Sequence, residues 1–117
     1  MKHNQTLGIG IDVVDIVRFQ KIPYTSNKGF YKKIFNNSEI NYCLKFKEPY
    51  KHFAGKFAIK EAVKKSIPIQ VNLLDIITSH RKEKPTVKLR NNSDYAFIVS
   101  VSHDAAIAAA VVLSILK

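Results

Sequence analysis

The sequence predicts an α+β fold in which an antiparallel sheet packs against one long helix. Three observations favour this class: an alternating apolar segment near the start, a long helical pattern in the middle, and short strand-like segments joined by turns towards the end. The chain has 117 residues, of which 46% are hydrophobic, so we expect a single domain over residues 1–117. A domain this small benefits from oligomerisation, which covers apolar surface.

The first element is a strand over residues 7–13, where apolar residues alternate with glycine or aspartate. This alternation puts Asp12 on the same face as Gly8 and Gly10 and leaves that face open beside the acid. Two glycines on one face indicate a bulge or the close approach of a ligand or another backbone. Asp12 itself has two interpretations, a functional carboxylate or an acid that merely ends the strand.

Between this strand and the main helix, the pattern predicts only short elements. Residues 15–19 read as a short helix or turn, residues 24–29 as a loop, and residues 30–35 as a short helix. Asn37 or Ser38 can cap a second short helix.

The main helix is predicted over residues 49–66. Pro49 suits the first turn of a helix, and the helix must stop before Pro68. Residues 68–73 then form a connection to the last part of the chain.

The last part of the chain is expected to supply the remaining strands. Two of them are predicted over residues 74–79 and 86–89, joined by a polar turn, and a third over residues 97–102. The alanine-rich segment 105–116 has helical propensity, but the break at residues 102–104 favours a hairpin that returns along the preceding strand.

Glu61 lies in a sector of the main helix that should otherwise be packed. On a helical wheel it falls between Phe57 and the small pair Ala54 and Ala58, and small residues let another element come close. The alternative is an ordinary ion pair with Lys65, four residues on, at a solvated face. Three lysines recur every four residues as a separate cationic stripe: Lys56, Lys60 and Lys64.

Asp12 and Glu61 together indicate a cation between them. Two carboxylates from different elements, with lysines beside them, fit Mg²⁺, which is usually held by one or two carboxylates together with waters and substrate phosphates. A nucleophilic triad fits poorly, because Ser102, His103 and Asp104 are neighbours in sequence and cannot adopt triad geometry. The sequence has no P-loop or dinucleotide-binding motif.

The charge of the chain is strongly positive. Nineteen Lys and Arg against nine Asp and Glu give a net charge of +10, which attracts nucleic acid, phosphate-rich cofactors or an acidic protein. A basic nucleic-acid-binding module is the main alternative to an enzyme. Asp12 and Glu61 argue against it, because acids within a phosphate-binding surface would oppose binding.

Cysteine content and hydropathy indicate the cellular compartment of the protein. Cys43 is the only cysteine, which excludes an internal disulfide and a cysteine-based metal cluster. No apolar stretch reaches the ~18 residues of a membrane span. Residues 1–6 lack the apolar core of a signal peptide, so we expect a cytoplasmic protein with neither nucleic acid nor membrane as partner.

Three segments together resemble the holo-acyl-carrier-protein synthases, the small type of 4′-phosphopantetheinyl transferase. They are GIGIDVVDIVRF over residues 8–19, FAGKFAIKEA over residues 53–62 and VSVSH over residues 99–103. The resemblance implies the fold of that family and an enzyme of lipid metabolism and fatty acid biosynthesis. Such an enzyme moves the phosphopantetheine arm of coenzyme A onto a serine of apo acyl carrier protein and releases adenosine 3′,5′-bisphosphate. An inactive transferase-like scaffold is the alternative.

The resemblance also implies roles for individual residues. Asp12 and Glu61 match the Mg²⁺ ligands and, with Lys65, the catalytic residues, while Glu61 or a metal-bound water takes the serine proton. Four residues match the contacts to coenzyme A, the last two from a neighbouring subunit of a homotrimer: Lys60, Lys65, Ser102 and His103. Five cations occupy the region that docks the acidic carrier protein: Arg18, Lys21, Lys28, Lys32 and Lys33.

The chain departs from the family pattern at three places. Residues 65–70 lack the usual glycine-rich loop, the turn at residues 82–85 is shortened, and Asp15 stands where glutamate is more usual. These changes remove no expected metal ligand, so we expect an active enzyme.

Overall fold

The computed structural model describes residues 6–117 and has the predicted α+β class. The expected lack of a signal peptide concerns residues 1–6, of which only Thr6 belongs to the described part. The strands are β1 (Leu7–Asp15), β2 (Ile76–Arg81), β3 (Lys84–Leu89), β4 (Tyr95–His103) and β5 (Ile107–Leu116). The α-helices are α1 (Val17–Gln20), α2 (Lys28–Lys32), α3 (Asn37–Leu44) and α4 (Pro49–Ser66). Within residues 6–117, no helix is both long and apolar enough to cross a membrane.

The strands form two antiparallel sheets instead of the single sheet predicted. A three-stranded sheet has the order β1-β5-β4, and β2 pairs with β3 as a separate hairpin. The alanine-rich segment is the central strand β5, which confirms the predicted hairpin with β4. Strand pairing on both sides overrides the helical propensity of alanine, and the small side chains of Ala108 and Ala110 are buried.

The helix α4 has the predicted bounds and crosses the inner face of the three-stranded sheet. Near its start, Gly55 faces Val101 of β4, because a Cβ on this glycine would lie 3.5 Å from the Val101 side chain. Near its end, the helix backbone meets β1. A Cβ on Gly8 would lie 1.9 Å from the carbonyl oxygen of Ser66, and one on Gly10 the same distance from that of Ala62. The close approach expected from the two glycines is therefore that of another backbone.

The alternation of β1 predicts a strand but not which face is buried. The glycine-bearing face packs against α4 and also carries the buried Val14. The side chains that alternate with it point outwards and are 57–66% exposed: Leu7, Ile9, Ile11 and Val13. We call the surface they share with β4 and β5 the outer face. Its large exposed residues are Leu7, Ile9, Ile11, Val13, Ile98, Ile107, Val111 and Leu113.

The short helices pack against α4 through aromatic side chains. Tyr31 of α2 is buried, and its ring lies edge-on to that of Phe53, 4.7 Å between centroids. The Tyr31 hydroxyl donates to the carbonyl of Ile22 at 2.6 Å, which ties α2 to the segment after α1. Phe19 of α1 packs edge-on against Phe57, with centroids 5.6 Å apart.

The cap of α3 is Asn36, one residue before the first candidate that the sequence indicated. The Asn36 side chain accepts from the backbone of Glu39 at 2.9 Å, and the Glu39 carboxylate accepts from the backbone of Asn36 at 2.9 Å. This reciprocal capping box satisfies two donors at once. Asn37 and Ser38 were the wrong candidates because both already lie inside the helix.

The contact between α4 and β1 gives a stability prediction. We expect Gly10→Ala to lower the free energy of unfolding by about 3 kcal/mol or more, because the new methyl group meets backbone, which cannot rotate away. The matched control is Gly29→Ala in α2, where an added Cβ meets nothing within 4 Å. That change should be neutral or stabilising by up to about 1 kcal/mol. Urea denaturation measures both, and equal stability of the two variants would contradict the prediction.

Candidate active site

Asp12 lies on the glycine-bearing face of β1, and its side chain is 16% exposed. The Lys65 ammonium donates to Asp12 Oδ1 at 3.0 Å and to the carbonyl of Ile11 at 3.0 Å. The interpretation of Asp12 as an acid that ends the strand is wrong, because β1 continues to Asp15. Asp12 is thus a mostly buried carboxylate in mid-strand with a cationic partner from α4.

Glu61 lies on α4 beside the same part of β1. Gly8 faces Ser66 and Gly10 faces Ala62, so two residues of the strand match one turn of the helix. Continuing this step brings Asp12 level with Ala58, in the turn of α4 that also carries Glu61. The packing of β1 against α4 therefore puts the two predicted carboxylates at the same level along the helix.

The alternative interpretation, an ion pair between Glu61 and Lys65, is wrong, because the Lys65 ammonium contacts Asp12 instead. Glu61 instead lies 3.9 Å from the Lys64 ammonium, a loose contact between side chains that are 26% and 41% exposed. Such a contact contributes little to stability. Glu61 is therefore held in place mainly by its position on the helix and remains accessible.

The donor set fits Mg²⁺ shared with a phosphate ligand better than an ion held by protein alone. Asp12 and Glu61 offer hard oxygen donors, and residues 6–117 contain no group of three or more His, Cys, Asp and Glu arranged to hold a metal. Mg²⁺ is commonly held by one or two carboxylates, with phosphates and waters in the other positions. The adjacent Lys64 and Lys65 suit the phosphates of such a ligand.

Lys60 does not take the cofactor-binding place expected for it. Its side chain is 0% exposed, and the ammonium donates to Glu39 Oε1 at 2.8 Å and to the carbonyls of Ile34 and Leu73 at 2.8 and 3.0 Å. All three N–H donors are thus used inside the protein. We therefore assign Lys60 to the core, where it joins α4 to three other segments.

The cationic stripe expected on α4 is solvated only at Lys64. Lys56 is buried like Lys60, and its ammonium donates to Thr78 Oγ1 at 3.0 Å.

Glu39 is a buried acid that the sequence did not indicate. Its carboxylate accepts four hydrogen bonds, from Lys60, from the backbone of Asn36 and from the backbone and hydroxyl of Thr78. A glutamate in a capping box gives no sequence signal of a second, buried role.

Ser102 and His103 lie on opposite faces of β4, because they are neighbours in a strand. His103 pairs with Ala108, which is buried beneath α4, so His103 is on the inner face. It borders a groove of about 520 Å³ whose wall also includes Lys47 and Lys51. Ser102 is on the outer face, so the two residues do not line one pocket of a single chain.

His103 and Asp12 lie on the two strands that flank β5 in the three-stranded sheet. Asp12 pairs with Ala110 of β5 and His103 pairs with Ala108, so the two residues are two strands apart and two residues out of line. These spacings put their Cα atoms roughly 12 Å apart. The His103 ring contacts that of His52 in the first turns of α4, 5.4 Å between centroids, so within one chain it is near Asp12 but not in contact with it.

The five cations expected to dock a partner are all exposed, on the segment from α1 to the end of α2. Residues 16–38 contain these five basic residues and no Asp or Glu. The guanidinium of Arg18 lies 5.5 Å from the centre of the Phe57 ring, one turn of α4 before Glu61. The basic surface therefore begins beside the carboxylates.

The sequence of this chain matches a known protein family. Residues 8–112 match the model of the 4′-phosphopantetheinyl transferase superfamily. The chain belongs to this superfamily. The match spans all the residues that the sequence analysis placed in the site.

Individual members of the superfamily have similar sequences. The holo-[acyl-carrier-protein] synthase of Geobacter sp. (strain M21) is 32% identical over 119 residues, covering 91% of this chain and 95% of the relative. The synthase of Chlamydia felis is 31% identical over 120 residues, covering 95% and 98%.

Solved structures of such synthases have the same fold. The synthase of Bacillus anthracis, in complex with CoA (3′,5′-ADP), superposes with a TM-score of 0.81 at 27% identity and covers 94% of this chain and 96% of its own. The Helicobacter pylori synthase, in complex with coenzyme A, has a TM-score of 0.76 at 33% identity and covers 93% and 99%. The predicted fold class is thereby confirmed.

A cluster of histidines and aromatic rings that the sequence analysis missed lies next to His103. The ring of His52 stacks on that of Phe46, 3.6 Å between centroids, and His80 stacks on Tyr42 at 4.4 Å. Burial lowers the pKa of His52 to about 4, and the nearby positive charges of His103 and the lysines act in the same direction. Burial likewise lowers the pKa of His80. The cluster joins residues 42–52 to His80 and His103, which are far away in sequence, so no motif indicated it.

The low pKa of His52 predicts an acid-sensitive fold. Below pH 6.5 the unfolded chain protonates His52, whereas the folded chain resists until about pH 4, so stability falls as pH falls through this window. We expect His52→Phe, which keeps a ring against Phe46, to lose less stability than the parent between pH 7.5 and pH 5. Urea denaturation at both pH values measures this. Equal losses, or an NMR titration of His52 with a midpoint near 6.5, would contradict it.

Proposed function

We propose that this chain transfers the 4′-phosphopantetheine arm of coenzyme A to a serine of apo acyl carrier protein. The observation that carries the proposal is the convergence of Asp12 from β1 and Glu61 from α4, with Lys65 beside them, in a member of this superfamily. The names of the relatives and the coenzyme A complexes of two similar structures support it.

In the proposed reaction, the serine oxygen attacks the β-phosphorus of coenzyme A. A new P–O bond forms, the bond to the bridging oxygen of the pyrophosphate breaks, and adenosine 3′,5′-bisphosphate leaves with that oxygen. Asp12 and Glu61 would hold Mg²⁺, which when bound offsets the negative charge of the pyrophosphate. Lys65 would donate to the phosphate oxygens, where charge develops. Glu61, the more exposed of the two carboxylates, or a water beside it would accept the serine proton.

The basic segment is the proposed docking surface for the acidic carrier protein. Its cations are exposed, and Arg18 lies next to the turn that carries Glu61. A carrier bound there would present its serine beside the carboxylates. Opposite charges steer association and fix orientation, and salt screens them, so the association rate should fall as ionic strength rises.

We also infer that the working form is a homotrimer with active sites between subunits. The outer face exposes a continuous apolar surface, including Ile9 at 66% and Ile98 at 59%, of the kind that marks protein interfaces. The central strand β5 separates His103 from Asp12 within one chain, which suits a site completed by the His103 of a neighbouring subunit. In that arrangement His103, with the basic groove beside it, would contact coenzyme A bound at a neighbour's carboxylates.

Further parts of the proposal follow from the fold and the family. The chain would act as one domain over residues 1–117, in the cytoplasm, as an enzyme of lipid metabolism. Coenzyme A and the carrier protein would be its partners, without nucleic acid or membrane. Mg²⁺ would be the required ion.

The transfer and the site are tested together by intact mass spectrometry of apo acyl carrier protein incubated with coenzyme A and Mg²⁺. We expect a mass gain of one phosphopantetheine. With Asp12→Asn or Glu61→Gln the rate of transfer should fall by roughly 100-fold or more, because each variant removes a charge that faces the reacting phosphates. A chelator should abolish the gain. The matched control is Asp15→Asn, on the same strand but on its outward, exposed side, which should retain activity. Full activity of Asp12→Asn would refute the assigned site.

The oligomeric state has its own test. Light scattering coupled to gel filtration should give three times the 13.3 kDa mass of the chain. Ile9→Lys, which places a charge on the outer face, should yield monomers without transferase activity. Ile69→Lys adds the same charge at an exposed residue after α4 and should leave the trimer intact. A parent chain that runs as a monomer would rule out this part of the proposal.

A further inference from the structure

Each carboxylate of the candidate site has a lysine of the chain itself beside it. Lys65 contacts Asp12 at 3.0 Å, and Lys64 lies 3.9 Å from Glu61. We propose that Lys65 is an internal counter-ion, which occupies Asp12 until a phosphate ligand draws it away and only then leaves the carboxylate to a divalent cation. This inference rests on the metal site of the proposed function.

The ammonium of Lys65 makes firm contacts, although much of the side chain is exposed to solvent. Its ammonium is held by two acceptors, Asp12 Oδ1 and the carbonyl of Ile11, yet its side chain is 54% exposed. Gly10 makes the contact possible, because a Cβ there would lie 3.1 Å from the Lys65 Cβ. The lysine therefore lies across the strand, with open solvent into which it can swing.

Asp12 needs a cation in every state of the enzyme. A carboxylate that is 16% exposed is costly without a partner, and Lys65 supplies one in the free chain. A divalent cation bound to the same oxygen would lie within a few ångströms of the ammonium and repel it. The two cations therefore compete for Asp12.

A phosphate ligand resolves this competition. Its oxygens accept the hydrogen bonds that Lys65 gives to Asp12 and Ile11, so the lysine can leave without losing its partners. Phosphate binding then raises the affinity of the site for metal, and by linkage metal raises the affinity for phosphate by the same factor. The metal would accordingly bind weakly to the free chain and tightly together with coenzyme A.

Lys64 is a weaker competitor than Lys65. Its contact with Glu61 is longer, and both side chains belong to one helix and are partly solvated. Ion pairs of that kind contribute little. The effect should therefore be concentrated in Lys65, which makes a single substitution informative.

The test is the binding of Mn²⁺, as a stand-in for Mg²⁺, to the full chain without coenzyme A, measured by calorimetry. We expect Lys65→Gln to bind Mn²⁺ about fivefold more tightly than the parent, as release of an ion pair of this exposure implies. Lys65→Arg, which keeps the charge, should not bind more tightly. Lys88→Gln removes the same charge from an exposed residue of β3 and controls for net charge. Asp12→Asn in the Lys65→Gln background should abolish the gain.

Two outcomes overturn the inference. One is that Lys65→Gln binds Mn²⁺ no more tightly than Lys88→Gln, including the case in which neither binds. The other is that the gain survives Asp12→Asn. Circular dichroism establishes that each variant is folded. Because transfer by the parent is measured separately, an active parent with an unchanged Lys65→Gln affinity would refute the counter-ion and leave the proposed function standing.

Discussion

The backbone-to-backbone approach of α4 to β1 is the constraint on which both the fold and the candidate site depend. It exists because Gly8 and Gly10 have no side chains where the carbonyls of Ser66 and Ala62 lie. A helix held at this distance places Glu61 and Lys65 within reach of Asp12. Side chains on β1 would move the helix outwards and separate these groups, so the glycines matter to chemistry as much as to packing.

The rotation of α4 about its own axis is set by a buried ion pair. Lys60 is held by Glu39 and two carbonyls, and breaking such a pair by removing one partner typically costs about 3–5 kcal/mol. Glu61 follows Lys60 in the helix, about 100° further round the axis, so fixing the direction of Lys60 also fixes that of Glu61. The same Glu39 carboxylate also binds Thr78 of β2. The segments that carry these partners are thus aligned with the Lys60 side of α4.

The sequence predicted what depends on local pattern and family motifs. The bounds of α4 and the hairpin of β4 with β5 follow from such signals, whereas Asp12 and Glu61 as metal ligands stay a prediction. It did not predict which face of β1 is buried. A face of glycines can be buried against the backbone of a helix, just as a face of large apolar side chains can be buried in a core, and the alternation is the same in both cases. Lys60 was misplaced because an ammonium at helical spacing looks solvated unless its distant partner is known, and the histidine cluster forms only in three dimensions.

The order of strands in the larger sheet has a consequence for how the chain folds during synthesis. Within the described residues, β1 has β5 as its only sheet neighbour, and Leu7 pairs with Ile115. Almost the whole polypeptide must leave the ribosome before the first strand finds its partner, and loops of such length slow folding. Until then β1 is an apolar strand with unpaired edges, prone to aggregation. Slow translation or an early stop would therefore harm this protein more than one whose first strand pairs locally.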